Sequence, residues 1–89
     1  MNIENKVVVV TGAASGIGRA LAQAFKNARA DKVYIADLNE EGLAETADLM
    51  DGIAIKTDVS KESEIRNLIE EVNKENDIDI FCSNAGIGG

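Results

Sequence analysis

Short apolar runs alternate with segments of helical periodicity along the whole 89-residue chain. Four runs rich in Val, Ile and Ala predict strands at residues 6–10, 33–36, 53–57 and 78–83. The first run is apolar on both faces, which is typical of a buried central strand in a parallel sheet.

Helical patterns occupy the segments between these strands. The first helix is predicted over residues 15–27, and Asn39 is placed to cap a second helix that runs to about residue 50 and that Gly52 would end. Ser60 is placed to cap a third helix, whose apolar residues recur at intervals of three and four. The order βαβαβαβ, joined by right-handed crossovers, predicts an α/β fold with a parallel sheet.

Three glycines, Gly12, Gly16 and Gly18, join the first predicted strand to the first helix. Glycines let the backbone approach a ligand closely, and a helix N-terminus offers free N–H groups and a positive dipole end to an anion. Glycine turns open many helices, so the spacing alone is a weak signal. With a strand before it and a helix after it, the loop indicates dinucleotide binding.

The charge balance removes several classes of function. With 16 acidic and 9 basic residues the net charge is −7, which disfavours nucleic acid and anionic membranes as partners. The single cysteine, Cys82, excludes an internal disulfide, and with no histidine to activate it we interpret it as a small strand residue. No long apolar segment or signal peptide is visible, so we expect a soluble, cytoplasmic protein.

Polar residues follow the other three predicted strands at the edge where open parallel sheets bind ligands. Asp37 lies 19 residues after Gly18, where an acid can accept hydrogen bonds from the adenosine ribose. Asp58-Val59 could contact adenine, and Asn84-Ala85-Gly86 places small residues close to a cofactor. Each segment taken alone could be an ordinary turn. The spacing of Asp37 from the glycine loop and the common position of the three segments favour a binding site.

Taken in order, these motifs resemble the N-terminal, cofactor-binding half of the short-chain dehydrogenase/reductase family, across essentially the whole chain. The resemblance implies that residues 1–89 form an N-terminal dinucleotide-binding fragment with a Rossmann-like sheet of strand order 3-2-1-4. It places Gly12, Ser15, Gly16, Ile17 and Gly18 around the pyrophosphate, Asp37 and Leu38 at the adenosine ribose, Asp58 and Val59 at adenine, and Asn84, Ala85 and Gly86 at the nicotinamide-side ribose.

The cofactor expected from the resemblance is NAD in preference to NADP. Asp37 would repel a 2′-phosphate, and neither Leu38 nor Asn39 supplies a cation to offset that repulsion. The sequence departs from the family at residues 28–30, where no glycine ends the first helix, and at Ser83, where the family often has Asn.

No catalytic residue and no metal cluster is expected within these residues. The family's catalytic Ser, Tyr and Lys lie beyond the Asn-Ala-Gly segment, and the sole tyrosine, Tyr34, lies inside the second predicted strand. Two functions therefore stay open. One is the cofactor-binding fragment of an NAD-dependent oxidoreductase, inactive by itself, and the other is a non-catalytic, self-associating nucleotide-binding module.

Self-association is expected in either case. In the order 3-2-1-4 the fourth strand is an edge, and its apolar residues lie beside unpaired backbone groups that can pair with another chain. The partners we expect are thus a dinucleotide and a second copy of the chain. The alternative is a monomer whose edge is protected by Asp77 and Asp79.

Overall fold

The computed structural model of the protein describes residues 3–14 and 16–84. Within these residues strands and helices alternate: β1 (Val7–Thr11), α1 (Gly16–Asn27), β2 (Lys32–Asp37), α2 (Glu40–Met50), β3 (Ile53–Lys56), α3 (Glu62–Asn73) and β4 (Ile80–Cys82). The predicted order βαβαβαβ is confirmed. None of the helices in the described part of the chain is long and apolar enough to cross a membrane.

The four strands form one parallel sheet in the order β3-β2-β1-β4. Val9 in the middle of β1 pairs with Tyr34 of β2 on one side and with Phe81 of β4 on the other. The expected strand order 3-2-1-4 is therefore confirmed, and β1 lies in the interior of the sheet.

Both faces of β1 are buried because helices cover the sheet on both sides. One apolar cluster, on the α1 and α2 side, includes Val8, Val10, Ala22, Ile35 and Leu43. The other cluster, on the α3 side, includes Val7, Val9, Tyr34, Leu68 and Val72. Burying each Val, Leu or Ile side chain of these clusters contributes about 1.5–3 kcal/mol, so the strand that precedes the glycine loop is packed firmly on both faces.

The starts of two helices test the predicted caps. The side-chain oxygen of Asn39 accepts a hydrogen bond from the backbone N of Gly42 at 3.1 Å, which confirms the cap of α2. The predicted cap of α3 is wrong, because the capping position is Lys61, which makes no side-chain cap bond. The Ser60 hydroxyl instead donates to Asp58 Oδ1 at 2.6 Å.

Two helices end on residues other than glycine in the left-handed conformation. Helix α2 ends near the predicted residue, but Asp51, with φ of 55°, takes the left-handed position in place of Gly52. Arg29 follows α1 with φ of 69°, in the segment where the sequence lacks the expected glycine. A side chain is strained in this conformation, so both positions carry a local cost in stability.

Candidate functional site

The glycine-rich loop leaves the carboxyl end of β1 in direct contact with the end of β4. Thr11 Oγ1 accepts a hydrogen bond from the backbone N of Asn84 at 3.1 Å and lies 3.4 Å from the carbonyl oxygen of Cys82. A Cβ on Gly12 would collide with the carbonyl oxygen of Asn84. Asn84 is thereby held against the start of the loop.

The beginning of α1 forms the open part of the loop. Gly16 has φ of 58°, and a Cβ built there would meet no atom within 4 Å, so this part of the backbone faces free space. Ile17 is 72% exposed, whereas Gly18 is buried against the carbonyl oxygen of Gly12. The first turn of α1 thus presents an accessible helix N-terminus, which suits an anion.

Asp37, at the end of β2, connects to this loop through its side chain. Its Oδ2 accepts a hydrogen bond from the backbone N of Ala14 at 3.0 Å, and its Oδ1 accepts one from the backbone N of Asn39 at 3.0 Å. The carboxylate is half-buried, and the neighbouring Leu38 is 56% exposed. The acid and the glycine loop therefore belong to one hydrogen-bonded unit.

Asp58 and Val59 follow β3 and lie next to Asp37 at the same edge. The backbone N of Thr57 donates to the carbonyl oxygen of Asp37 at 2.9 Å, which joins the two strand ends. Asp58 Oδ1 accepts from the hydroxyl and from the backbone N of Ser60, and these bonds hold the pKa of the Asp58 carboxyl below its ordinary value. Asp58 and Val59 are both half-buried, so each keeps accessible surface.

Nine of the predicted site residues are described and lie along the carboxyl edge of the sheet: Gly12, Gly16, Ile17, Gly18, Asp37, Leu38, Asp58, Val59 and Asn84. The other three, Ser15, Ala85 and Gly86, lie outside the described residues. The strand ends that carry the described residues are adjacent because parallel strands end at one edge of the sheet.

Arg19 and Thr46, which no sequence motif indicated, bind the backbone of the loop on the side of α1 and α2. Thr46 Oγ1 donates to the carbonyl oxygen of Ala13 at 2.7 Å and is fully buried. Arg19 Nε donates to Thr46 Oγ1 at 2.8 Å. The signal that could have found Thr46 is its place at helical spacing from Leu43 and Met50, as a polar residue on the buried face of α2.

Two cations on elements that neighbour the end of β2, Arg19 and Lys56, contact carboxylates. Arg19 Nη2 lies 3.4 Å from Glu45 Oε2. Lys56, which pairs with Asp37 in the sheet register, places its Nζ 2.9 Å from Glu40 Oε1, and this bond holds the pKa of Lys56 above its ordinary value. Both cations therefore already have a carboxylate partner.

Tyr34 belongs to the core and not to this edge. Its side chain is 4% exposed, and its hydroxyl accepts a hydrogen bond from Asn76 Nδ2 at 2.8 Å. It precedes Asp37 by three residues, so about 10 Å of strand separates it from the carboxyl edge. Within residues 3–14 and 16–84, no group of acidic or cysteine side chains could hold a metal ion.

A parallel sheet of order 3-2-1-4 with a glycine-rich loop after its first strand defines a Rossmann-like α/β protein. The particular family follows from sequence comparison. The chain belongs to the short-chain dehydrogenase family, whose family model matches residues 6–89.

Relatives of this family are longer than the present chain. The chain is 37% identical to an NAD-dependent glycerol dehydrogenase of Listeria innocua over 89 residues, which cover 97% of the chain and 35% of that enzyme. It spans about a third of the length of the curated relatives it matches and corresponds to their N-terminal portion.

Solved structures agree with the fold. A short-chain dehydrogenase/reductase from Burkholderia phymatum, solved in complex with NAD, matches 91% of the chain and 31% of its own length, with 30% identity and a TM-score of 0.85. A short-chain dehydrogenase from Mycobacterium smegmatis matches 99% of the chain and 40% of its own length, with 35% identity and a TM-score of 0.89.

Proposed function

We propose that residues 1–89 are the N-terminal dinucleotide-binding unit of a short-chain dehydrogenase/reductase and that the cofactor is NAD. The observation that carries this proposal is the 3.0 Å hydrogen bond between Asp37 Oδ2 and the backbone N of Ala14. In a dinucleotide the adenosine ribose is attached directly to the pyrophosphate. An acid suited to the ribose and a loop suited to the pyrophosphate must therefore lie side by side, as these two do.

The cofactor would extend along the carboxyl edge of the sheet. In this assignment the first turn of α1, with Gly16, Ile17 and Gly18, takes the pyrophosphate, together with Gly12 and Ser15 of the loop. Asp58 Oδ1 is occupied by Ser60, so Oδ2 is the atom that would accept from the adenine amino group, with Val59 against the ring.

The nicotinamide end would lie across β1 and β4. Asn84 contacts Gly12 there, and Ala85 and Gly86 follow it in sequence. The exposed side chains of Ile17 and Leu38 flank the proposed path and supply apolar contact area for the cofactor.

The preference for NAD over NADP follows from the charges around Asp37. A 2′-phosphate about 4 Å from this carboxylate would be repelled by up to about 4 kcal/mol at an effective dielectric constant near 20. Arg19 and Lys56, the cations on neighbouring elements, already contact Glu45 and Glu40. Neither is placed to compensate the repulsion without giving up its present partner.

The hydride-transfer chemistry is proposed to need groups outside these 89 residues. A general acid must lie within hydrogen-bond reach of the reacting oxygen. Tyr34 is buried in the sheet and its hydroxyl is bonded to Asn76. The 89-residue polypeptide is therefore expected to bind cofactor without reducing a carbonyl substrate.

Self-association through β4 is the second element of the proposal. Among the described residues β4 pairs only with β1, and Phe81 is 37% exposed. The Asp79 Oδ2 atom accepts a hydrogen bond from the backbone N of Val7 at 2.9 Å, so this oxygen is directed toward β1 rather than toward the other edge of β4. Pairing of two β4 edges would satisfy the free backbone groups in a symmetric dimer.

Calorimetric titration of the purified chain with NAD and with NADP tests the central proposal. We expect saturable binding of NAD that is at least tenfold tighter than binding of NADP. Equal or tighter binding of NADP would contradict the cofactor assignment, and absence of binding to either would contradict the binding function of the isolated polypeptide.

A further inference from the structure

All four backbone polar groups of the dipeptide Ala13-Ala14 are hydrogen-bonded. The two N–H groups donate toward β2: Ala13 N to the carbonyl oxygen of Ala36 at 3.2 Å, and Ala14 N to Asp37 Oδ2 at 3.0 Å. The two carbonyl oxygens accept from side chains of the first two helices. Ala13 accepts from Thr46 Oγ1 at 2.7 Å, and Ala14 accepts from Arg19 Nη2 at 2.6 Å.

The two side chains that hold the carbonyls are also bonded to each other. Arg19 Nε donates to Thr46 Oγ1 at 2.8 Å. The Thr46 hydroxyl has a single hydrogen, which it can donate to one carbonyl oxygen while it accepts from Arg19. The carbonyl oxygen of Ala13, at 2.7 Å, is closer than that of Gly42, at 3.1 Å. We call this pair, Arg19 of α1 and Thr46 of α2, the Arg19–Thr46 clamp.

Helix α2 reaches the loop because Gly42 allows it to approach. A Cβ on Gly42 would lie 2.8 Å from the carbonyl oxygen of Ala14 and 2.9 Å from its Cβ. Arg19 Nη2 lies 3.2 Å from the carbonyl oxygen of Gly42, which joins the same two helices. The loop is thus held between α2 on one side and β2 on the other.

We propose that the Arg19–Thr46 clamp positions the glycine-rich loop for the pyrophosphate of the cofactor. This inference rests on the proposed function. Carbonyl oxygens that face an anion repel it, and the clamp directs those of Ala13 and Ala14 toward α1 and α2. The N–H groups at the start of α1 then stay available to the phosphates without reorganisation on binding. Arg19 and Thr46 are positioning residues in this account.

Thr46→Val removes the hydroxyl and nearly keeps the shape of the side chain, and Thr46→Ser restores the hydroxyl. We expect NAD affinity, measured by calorimetry on the 89-residue chain, to fall about tenfold in Thr46→Val and to recover in Thr46→Ser. Adenosine has no phosphate, so its affinity, measured by NMR titration, is expected to stay within twofold. Equal losses for NAD and adenosine, or no loss for NAD, would overturn the proposal.

Amide hydrogen exchange of the ligand-free chain supplies a readout that does not depend on cofactor. We expect Ala13 and Ala14 amides to exchange at least tenfold faster in Thr46→Val, with Val9 in the core strand unchanged. If Thr46→Val does not fold, Arg19→Met removes the guanidinium from a side chain that is 25% exposed and is judged by the same two measurements.

Unchanged exchange of the Ala13 and Ala14 amides in a folded variant would overturn the proposal. Failure of the wild-type chain to bind NAD would contradict the proposed function, while the exchange result would still decide whether the clamp holds the loop.

Discussion

The side chain of Asp37 and the backbone N of Ala14 are joined by a hydrogen bond of 3.0 Å. Through this bond the acid at the end of β2 shapes the loop that follows β1, in addition to any contact it makes with a ligand. A change at Asp37 is therefore expected to act on both the ribose and the pyrophosphate parts of the proposed site.

Asp37→Asn is expected to lower NAD affinity about tenfold and to narrow the difference between the affinities for NAD and NADP. A hydrogen bond to a charged group contributes about 1.5–3 kcal/mol, and the repulsion toward a 2′-phosphate disappears with the charge. Parallel calorimetric titrations measure both effects. Asp48→Asn, at an exposed position of α2, is the matched control and should change neither affinity. An unaltered ratio of NAD affinity to NADP affinity in Asp37→Asn would show that this carboxylate does not select the cofactor.

The sheet could be predicted from sequence because its signals are local and redundant. The apolar run of β1 is buried on both faces, and the polar residue after each strand falls at one edge for purely topological reasons. The positions of Asp37 and Asp58 follow from that rule alone. The strand order needed the family resemblance, since the alternation of strands and helices is compatible with several orders.

The details that sequence could not supply depend on competition between side chains. Ser60 was a reasonable cap for α3, but its hydroxyl bonds to Asp58, and Lys61 occupies the capping position. The contact between Arg19 and Thr46 joins residues 27 positions apart, so no local pattern encodes it. Such contacts are determined by how the helices pack on the sheet.

Tyr34→Phe is expected to lower the free energy of unfolding by about 1 kcal/mol, because it removes the bond to Asn76 inside the core. NAD affinity should be unchanged, since Tyr34 lies away from the carboxyl edge. Denaturant titration and calorimetry measure the two quantities. We also expect neither the wild-type chain nor this variant to oxidise NADH in the presence of carbonyl substrates. Turnover by the wild-type chain that is lost in Tyr34→Phe would show that Tyr34 is a proton donor.

Arg29→Gly is expected to stabilise the chain by about 1 kcal/mol. Arg29 has φ of 69°, a conformation that costs about 1–2 kcal/mol for a residue with a Cβ and little for glycine, although glycine also makes the unfolded chain more flexible. The control is Ala24→Gly at an exposed position inside α1, which should destabilise by about 0.5–1 kcal/mol. Denaturant unfolding measures the change in the free energy of unfolding for each variant, and the two changes should have opposite signs. Destabilisation by Arg29→Gly would mean that the Arg29 side chain contributes more than its backbone strain costs.

Ser60→Ala is expected to raise the pKa of the Asp58 carboxyl toward its ordinary value. The hydrogen bonds from Ser60 favour the charged form in the folded state, so their stabilising effect is present above the unfolded pKa and is lost as pH falls through the folded pKa. NMR titration of the Asp58 carboxyl carbon measures the change. Ser63→Ala on the exposed surface of α3 is the control and should leave the titration unaltered. An unchanged pKa in Ser60→Ala would show that the hydroxyl does not stabilise the carboxylate.

Dilution of the 89-residue chain is expected to reveal a dimer that dissociates as the concentration falls. Within residues 3–14 and 16–84, β4 pairs with no strand other than β1, and the side chain of Phe81 is 37% exposed. Phe81→Lys should shift the equilibrium to monomer, because a charge at a sheet edge opposes pairing with a second strand. Leu49→Lys, at a 60% exposed apolar position on α2, is the matched control and should leave association intact. Light scattering across the dilution series reports the mass, and circular dichroism shows whether each variant is folded.

A folded wild-type monomer throughout the micromolar range would rule out pairing at this edge. Equal loss of association in both lysine variants would place the contact elsewhere.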